Sequence, residues 1–119
     1  MDRVNDITDI LLDIKRERDR IIKRLNHVLS EIKNIAKSYD KNSKILLFGS
    51  AYKQELKPDS DIDIIIISEK SVDHNFRMEL LRKIYSVLGG EGIIQLHIIT
   101  SEEFERWYIK FIKDDYMEI

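Results

Sequence analysis

Hydrophobic and polar positions divide the chain into a long helical pattern followed by alternating strands and helices. Over the first forty residues apolar side chains recur three or four positions apart, apart from a break at Arg18. This heptad-like spacing predicts one helix over 5–39, about 50 Å long at 1.5 Å per residue. The apolar positions are Ile7, Leu11, Ile14, Ile21, Leu25, Val28, Ile32, Ile35 and Tyr39. We expect residues 21–39 to pack on the sheet domain and residues 5–20 to extend beyond it.

The remaining chain has the pattern of a small mixed sheet. Ile-rich segments predict strands at 44–48, 61–67 and 92–99, and helical patterns occupy 51–55, 75–88 and 101–112. A helix between the last two strands favours parallel neighbours, whereas the shorter connection before residue 61 permits an antiparallel pair. The predicted fold class is α/β (α+β): a small mixed β-sheet with helices on one side, preceded by a long N-terminal helix. We predict residues 1–40 as the helix for packing and oligomerisation, and 41–119 as the sheet domain.

Composition narrows the function classes. A formal net charge of −2 argues against a broad nucleic-acid surface, because binding to a polyanion needs many basic contacts. The chain has no cysteine, which excludes disulfides and thiolate zinc sites and favours a cytoplasmic setting. The N-terminus lacks the pattern of a signal peptide, and no apolar run is long enough for a membrane span. We therefore expect a soluble protein.

Candidate chemistry is concentrated between Phe48 and Ile67. The first strand stops at Gly49, where the chain can turn sharply and bring backbone N–H groups close to a phosphate, and Ser50 adds a hydroxyl donor. Because side chains alternate along a strand, Asp61 and Asp63 project to the same side with Cα atoms ~7 Å apart. Two carboxylates so placed can converge on one or two hard cations.

The two short motifs occur together as in a known family. Gly49-Ser50, a variable stretch and then Ser60-Asp61-Ile62-Asp63 resemble the nucleotidyltransferase superfamily of DNA polymerase beta type, and within it the small minimal nucleotidyltransferases. The resemblance covers residues 44–112. It implies transfer of a nucleoside monophosphate from an NTP, in the first instance ATP, to an acceptor hydroxyl with Mg²⁺. It also implies that Asp61 and Asp63 hold the metal, and that the nucleotide is held by Gly49, Ser50, Lys53 and Ser60.

The sequence departs from the family pattern at two places. Lys53-Gln54 stands where many members have Arg-Gly, which keeps a positive charge but loses a bidentate donor. The third carboxylate of active members is replaced by Gln95, with His97 two residues later and facing the same way. Gln95 is a candidate metal ligand, and His97 a candidate general base or weak ligand. The alternative is that both side chains only form hydrogen bonds in a polar cleft.

Two functions therefore remain open. The first is a nucleotidyltransferase, whose acceptor, by resemblance to members encoded beside helical partners of toxin–antitoxin type, is a Tyr or Ser on a small helical partner protein. The second is a catalytically weak nucleotide-binding or antitoxin-like module that acts by protein association. The first helix predicts a homodimer, with a monomer in which the helix folds back as the alternative. For Trp107 and Tyr108, core packing is favoured over stacking on a base.

Overall fold

The computed structural model describes residues 6–23, 25–49, 62–88, 94–113 and 115–119. Three helices are long: α1 (Ile7–Lys23), α2 (Leu25–Tyr39) and α3 (His74–Leu88). The strands are β1 (Lys44–Phe48), β2 (Ile62–Ile67), β3 (Ile94–Ile99) and β4 (Tyr116–Glu118), and a 3-10 turn (Glu69–Val72) leads from β2 to α3. None of the helices in these ranges combines the length and the apolar composition of a membrane-spanning segment.

A fourth helical segment, α4, follows β3. It is α-helical at Ser101–Glu103, π-helical at Phe104–Tyr108 and α-helical again at Ile109–Ile112. Thr100 and Glu103 form a capping box, in which the Thr100 side chain accepts from the Glu103 N–H and the Glu103 carboxylate accepts from the Thr100 N–H. This reciprocal pair satisfies two backbone donors at the helix start and fixes where α4 leaves the sheet.

The strands form one mixed sheet in the order β3-β2-β1-β4. β1 and β2 are antiparallel, and β2 and β3 are parallel. Both pairings agree with the connection lengths, because a parallel neighbour needs a crossover helix and α3 supplies it. The mixed α/β fold class predicted from the sequence is confirmed.

The short strand β4 was missed by the sequence prediction. Tyr116–Glu118 pairs antiparallel with β1, and the Ile119 N–H donates to the Ile45 carbonyl at 2.9 Å. Three residues carry too little periodicity to be distinguished from a terminal loop. They form a strand because β1 would otherwise leave a row of unpaired backbone groups on its outer side.

Helices α2 and α3 cover one face of the sheet. Their buried residues meet the alternate positions of the strands, with Ile32, Ile64 and Leu80 fully buried between the layers. The opposite face carries a second apolar cluster, in which Ile65 of β2 packs with Ile112 of α4. The prediction of helices on one side of the sheet therefore holds for α2 and α3. It does not hold for α4, which covers part of the opposite face.

Within the predicted helix over 5–39, the structure describes α1 (Ile7–Lys23) and α2 (Leu25–Tyr39). Residue 24 lies outside the described residues, so the continuity of this helix stays a prediction. α2 contributes Val28, Leu29, Ile32 and Ala36 to the core, whereas α1 exposes large aliphatic side chains, from Leu12 at 45% to Ile7 at 73%. The molecule measures 60 × 29 × 22 Å along its principal axes. The N-terminal part thus extends beyond the sheet domain, as the heptad pattern indicated, while the division at residue 40 stays a prediction.

Asp40 connects the end of α2 to the end of β2. Its buried carboxylate accepts from the Ser68 hydroxyl at 2.5 Å and from the Asn42 N–H at 2.9 Å. The Ser68 hydrogen bond, followed by that of Asn42, holds the pKa of Asp40 below its usual value of about 3.8. The carboxylate therefore stabilises the fold in its ionised form.

An Asp40→Asn substitution is expected to lower the free energy of unfolding by about 1–3 kcal/mol at pH 7, because a charged hydrogen-bond acceptor is lost inside the protein. Since the pKa of Asp40 is depressed by folding, its contribution is complete above the unfolded pKa and disappears as the pH falls through the folded one. Urea denaturation at pH 7 and pH 3 measures this difference. Asp13→Asn is the control, since its side chain is 77% exposed. An equal loss of unfolding free energy in Asp40→Asn and Asp13→Asn would contradict a stabilising role for the buried Asp40 carboxylate.

Candidate active site

Gly49 forms a turn that lies directly against the carboxylate of Asp63. Its φ is +75°, a conformation that side chains with a Cβ rarely adopt. A Cβ built on this residue would lie 2.8 Å from Asp63 Oδ2. The turn therefore requires glycine both for its backbone conformation and for its close approach to the carboxylate.

Asp63 lies on β2, between the end of β1 and the start of β3. It pairs with Phe48 across one side and with Gln95 across the other. Its neighbours Ile62 and Ile64 are fully buried in the α2–α3 core, so the alternation of the strand directs the half-buried Asp63 to the opposite face. Asp63 therefore faces away from the α2–α3 core.

Four further predicted site residues lie outside the described residues: Ser50, Lys53, Ser60 and Asp61. In the part of the chain that the structure describes, no group of three or more acidic or histidine side chains could hold a metal ion. The carboxylate of Asp63 is of the hard oxygen type that Mg²⁺ prefers as a ligand. The assignment of Asp61 as the second ligand stays a prediction.

Gln95 occupies the position in β3 that faces Asp63 in the parallel register. Its side chain is exposed, and the register places no acid directly beside Asp63 on this strand. The prediction that Gln95 stands at the place of a third carboxylate stays a prediction. Its role as a metal ligand through the amide oxygen also stays a prediction.

His97 belongs to an aromatic cluster beside Asp63. Its ring centroid lies 5.9 Å from that of Phe48 and 5.4 Å from that of Tyr108. Because Phe48 is on β1 and His97 on β3, their contact crosses β2, on the face that carries Asp63. His97 is thus placed on the predicted face, and its role as general base or weak ligand stays a prediction.

Tyr108 fixes one nitrogen of this histidine. Its hydroxyl lies 3.2 Å from His97 Nδ1. Burial, reinforced by the negative charge of Glu103, raises the pKa of Tyr108 above its usual value of 10. The phenol therefore stays protonated at neutral pH, and its hydroxyl can either donate to an unprotonated Nδ1 or accept from a protonated one, depending on the tautomer of the ring.

The sequence predicts core packing for both Trp107 and Tyr108, but in the structure the two side chains differ in burial. Tyr108 is partly buried in the cluster of α4, as core packing predicts, but Trp107 is 60% exposed. The core-packing prediction is therefore wrong for Trp107. The π-helical turn changes which residues of the segment face the sheet, and apolar spacing alone does not reveal such a turn. The contact of Tyr108 with His97 had no signal in the sequence.

A cavity of about 470 Å³ lies at the other end of the same sheet face. Ile67 on its wall is four residues from Asp63, about 13 Å along the strand. The packed cluster around Ile65 occupies the strand between them. Two carboxylates on the cavity wall already accept hydrogen bonds, Asp40 from Ser68 and Glu69 from the Ser101 N–H. The cavity is therefore separate from the site at Gly49 and Asp63.

Comparisons with known proteins agree on one family. The family described as polymerase beta nucleotidyltransferase matches residues 30–110. Spectinomycin 9-adenylyltransferase of Campylobacter jejuni is 39% identical over 51 residues, covering 43% of this chain and 20% of that protein. The enzyme of the same name from Enterococcus faecalis is 30% identical over 87 residues, covering 66% of this chain and 34% of that protein. The chain thus spans about a fifth to a third of these relatives.

Solved structures show the same fold. A crystal structure described as a nucleotidyltransferase aligns over 76% of this chain and 96% of its own, with a TM-score of 0.66 and 29% identity. A second, from Sulfolobus solfataricus, aligns over 91% of this chain and 84% of its own, with a TM-score of 0.52 and 18% identity, and supports the fold alone. The glycine turn against the strand carboxylate lies inside the matched residues. The chain belongs to the polymerase beta nucleotidyltransferase family.

Proposed function

We propose that this nucleotidyltransferase moves a nucleoside monophosphate from ATP to an acceptor hydroxyl with Mg²⁺. The observation that carries the proposal is the close approach of the Gly49 turn to the Asp63 carboxylate. A backbone turn can donate N–H groups to phosphate oxygens, and a carboxylate beside it can hold the cation that those oxygens also bind. The adenylyltransferase activity named for two relatives supports ATP as the donor.

The proposed reaction is an in-line displacement at the α-phosphorus. The acceptor oxygen forms a bond to phosphorus, the bond to the bridging oxygen of pyrophosphate breaks, and the acceptor proton passes to a base. When bound, Mg²⁺ neutralises phosphate charge and polarises the phosphoryl group. The Gly49-Ser50 turn orients the β- and γ-phosphates, and Asp61 and Asp63 hold the cation. His97 is the candidate base: in the tautomer whose Nδ1–H donates to the Tyr108 hydroxyl, Nε2 is unprotonated and can take the acceptor proton.

Two classes of molecule are candidates for the acceptor. Spectinomycin is the acceptor named for the relatives, which supports a small molecule with hydroxyl groups. A Tyr or Ser hydroxyl on a small helical partner protein is the class that the minimal nucleotidyltransferases suggest. Because this chain spans at most about a third of those relatives, each class needs its own test.

Transfer of label from ATP tests the proposal. The protein is incubated with α-labelled ATP and Mg²⁺, with spectinomycin in one arm and candidate protein acceptors in another. We expect labelled acceptor that depends on Mg²⁺ and is absent from an Asp61→Ala plus Asp63→Ala variant. Label transfer that persists unchanged in the double variant would refute the assigned site.

Gln95 favours a second candidate function, nucleotide binding without efficient transfer, in which the chain acts by association with a partner. A missing carboxylate beside Asp63 is expected to affect chemistry more than binding, because binding needs mainly the phosphate-bridging cation. Calorimetry with ATP and Mg²⁺ measures binding, and the label assay measures turnover.

A Gln95→Asp variant distinguishes the two functions. If the chain binds ATP but turns it over poorly, the new carboxylate beside Asp63 should raise transfer by about tenfold or more, since it completes the ligand set. Gln95→Asn is the matched control, because it has the size of Asp without the charge. Robust wild-type turnover with no gain in Gln95→Asp would exclude the binding-only function.

A further inference from the structure

Helix α1 carries an aliphatic stripe that the described part of the chain leaves exposed. Ile7, Ile10, Leu11 and Ile14 fall within about 100° of arc at 100° per residue. Their exposed fractions are 73%, 53%, 58% and 46%, respectively. A stripe of this kind on a projecting helix indicates an interaction surface.

The charges of α1 divide along the same helix. Residues 6–14 contain three aspartates, Asp6, Asp9 and Asp13, and no basic residue. Residues 15–23 contain five basic and two acidic residues, a net charge of +3. Arg20 pairs with Glu17 in the second half and Arg16 pairs with Asp13 across the boundary, but both pairs are exposed, and exposed ion pairs are weak. The N-terminal half is thus net −3 and the C-terminal half net +3.

We propose that α1 pairs antiparallel with α1 of a second copy of this chain. A parallel pair would place −3 beside −3 and +3 beside +3, whereas an antiparallel pair places each acidic half against a basic half. The two-fold axis then passes near the boundary between Ile14 and Lys15, and both copies use the same surface, as a two-fold interface requires. This inference concerns assembly and does not depend on the proposed function.

The stripe and the charges have different effects in this pair. With the axis beside Ile14, the two Ile14 positions meet, and residue 7 of each copy lies opposite residue 21 of the other, where the heptad pattern continues. Burial of the aliphatic side chains at these positions supplies the affinity, and the charge distribution selects the orientation. A helix of 17 residues is about 25 Å long. An interface of one such helix from each copy is smaller than the ~800 Å² per partner of a standard complex, so we expect a dissociation constant in the micromolar range.

Sedimentation velocity on the full chain tests the surface. We expect the wild type to shift from monomer to dimer between low and high micromolar concentration, and Leu11→Asp plus Ile14→Asp to stay monomeric. Val72→Asp is the control, because Val72 is 80% exposed but lies outside α1, and it should dimerise like the wild type. A wild type that is monomeric at several hundred micromolar, or a double variant that still dimerises, would overturn the proposal.

Cysteine crosslinking tests the orientation, since the chain has no cysteine of its own. In the antiparallel pair two Ile14 positions face each other near the axis. Two Ile7 positions are about 22 Å apart along the helices, beyond the ~7 Å Cα separation that a disulfide can bridge. On mild oxidation we expect Ile14→Cys to crosslink at least about tenfold faster than Ile7→Cys. Equal rates would indicate a parallel pair, and crosslinking of neither variant would show that the dimer uses another surface; both results overturn the proposal.

Discussion

An Asp63→Asn variant is expected to keep its fold and lose nucleotidyl transfer by at least about a hundredfold. Asn has the size of Asp but lacks the charge that holds a divalent cation, and removal of even an outer partner of a metal ligand commonly costs 10- to 100-fold. Asp63 lies between Gly49 and Gln95 at the end of the sheet. The measurement is the initial rate of label transfer from α-labelled ATP at saturating Mg²⁺.

Asp73→Asn is the matched control for this variant. Asp73 is exposed, and its carboxylate accepts from the Asn75 N–H at 2.9 Å at the start of α3. Asn serves nearly as well as Asp in such a position. We expect wild-type transfer and an unchanged melting temperature. An Asp63→Asn variant that transfers at the wild-type rate would remove Asp63 from the reaction.

A Gly49→Ala variant is expected to lose both stability and nucleotide binding. The positive φ of +75° costs a residue with a Cβ roughly 1–2 kcal/mol. The new Cβ would also meet Asp63 Oδ2 at 2.8 Å, so either the turn or the carboxylate must move. Urea denaturation measures the loss of stability, and calorimetry with ATP and Mg²⁺ measures the loss of binding.

A double-mutant cycle separates the two costs of Gly49→Ala. In an Asp63→Ala background the carboxylate oxygen is absent, so the steric part of the cost disappears and the backbone part remains. We therefore expect Gly49→Ala to cost less there than in the wild type. Equal costs in both backgrounds would show that the contact between the turn and Asp63 has no energetic consequence.

The central strands could be predicted because their sequence admits few alternatives. The Ile-rich segment of β2 is too short and too β-branched for a helix. Its one polar position among the described residues, Asp63, falls on the face that the alternation predicts. The start of α4 at Ser101 also agrees with the helical pattern predicted over 101–112, and the capping box of Thr100 and Glu103 lies within one turn of sequence there.

Features that depend on tertiary packing could not be predicted. The exposure of Trp107 follows from a π-helical turn that side-chain spacing does not encode. The hydrogen bond of Tyr108 to His97 joins residues on α4 and β3, and no local pattern pairs them.

The central claim is that the site at Gly49 and Asp63 transfers a nucleotide. It is tested most directly by comparing ATP labelled at the α-phosphate with ATP labelled at the γ-phosphate, in the presence of Mg²⁺ and an acceptor. Nucleotidyl transfer puts the α-label on the acceptor and releases the γ-label in pyrophosphate. We predict that the α-label appears on the acceptor and the γ-label does not. In Asp63→Asn we expect neither α-labelled acceptor nor γ-labelled pyrophosphate. The appearance of γ-label on the acceptor, or α-label transfer that survives Asp63→Asn, would contradict the claim.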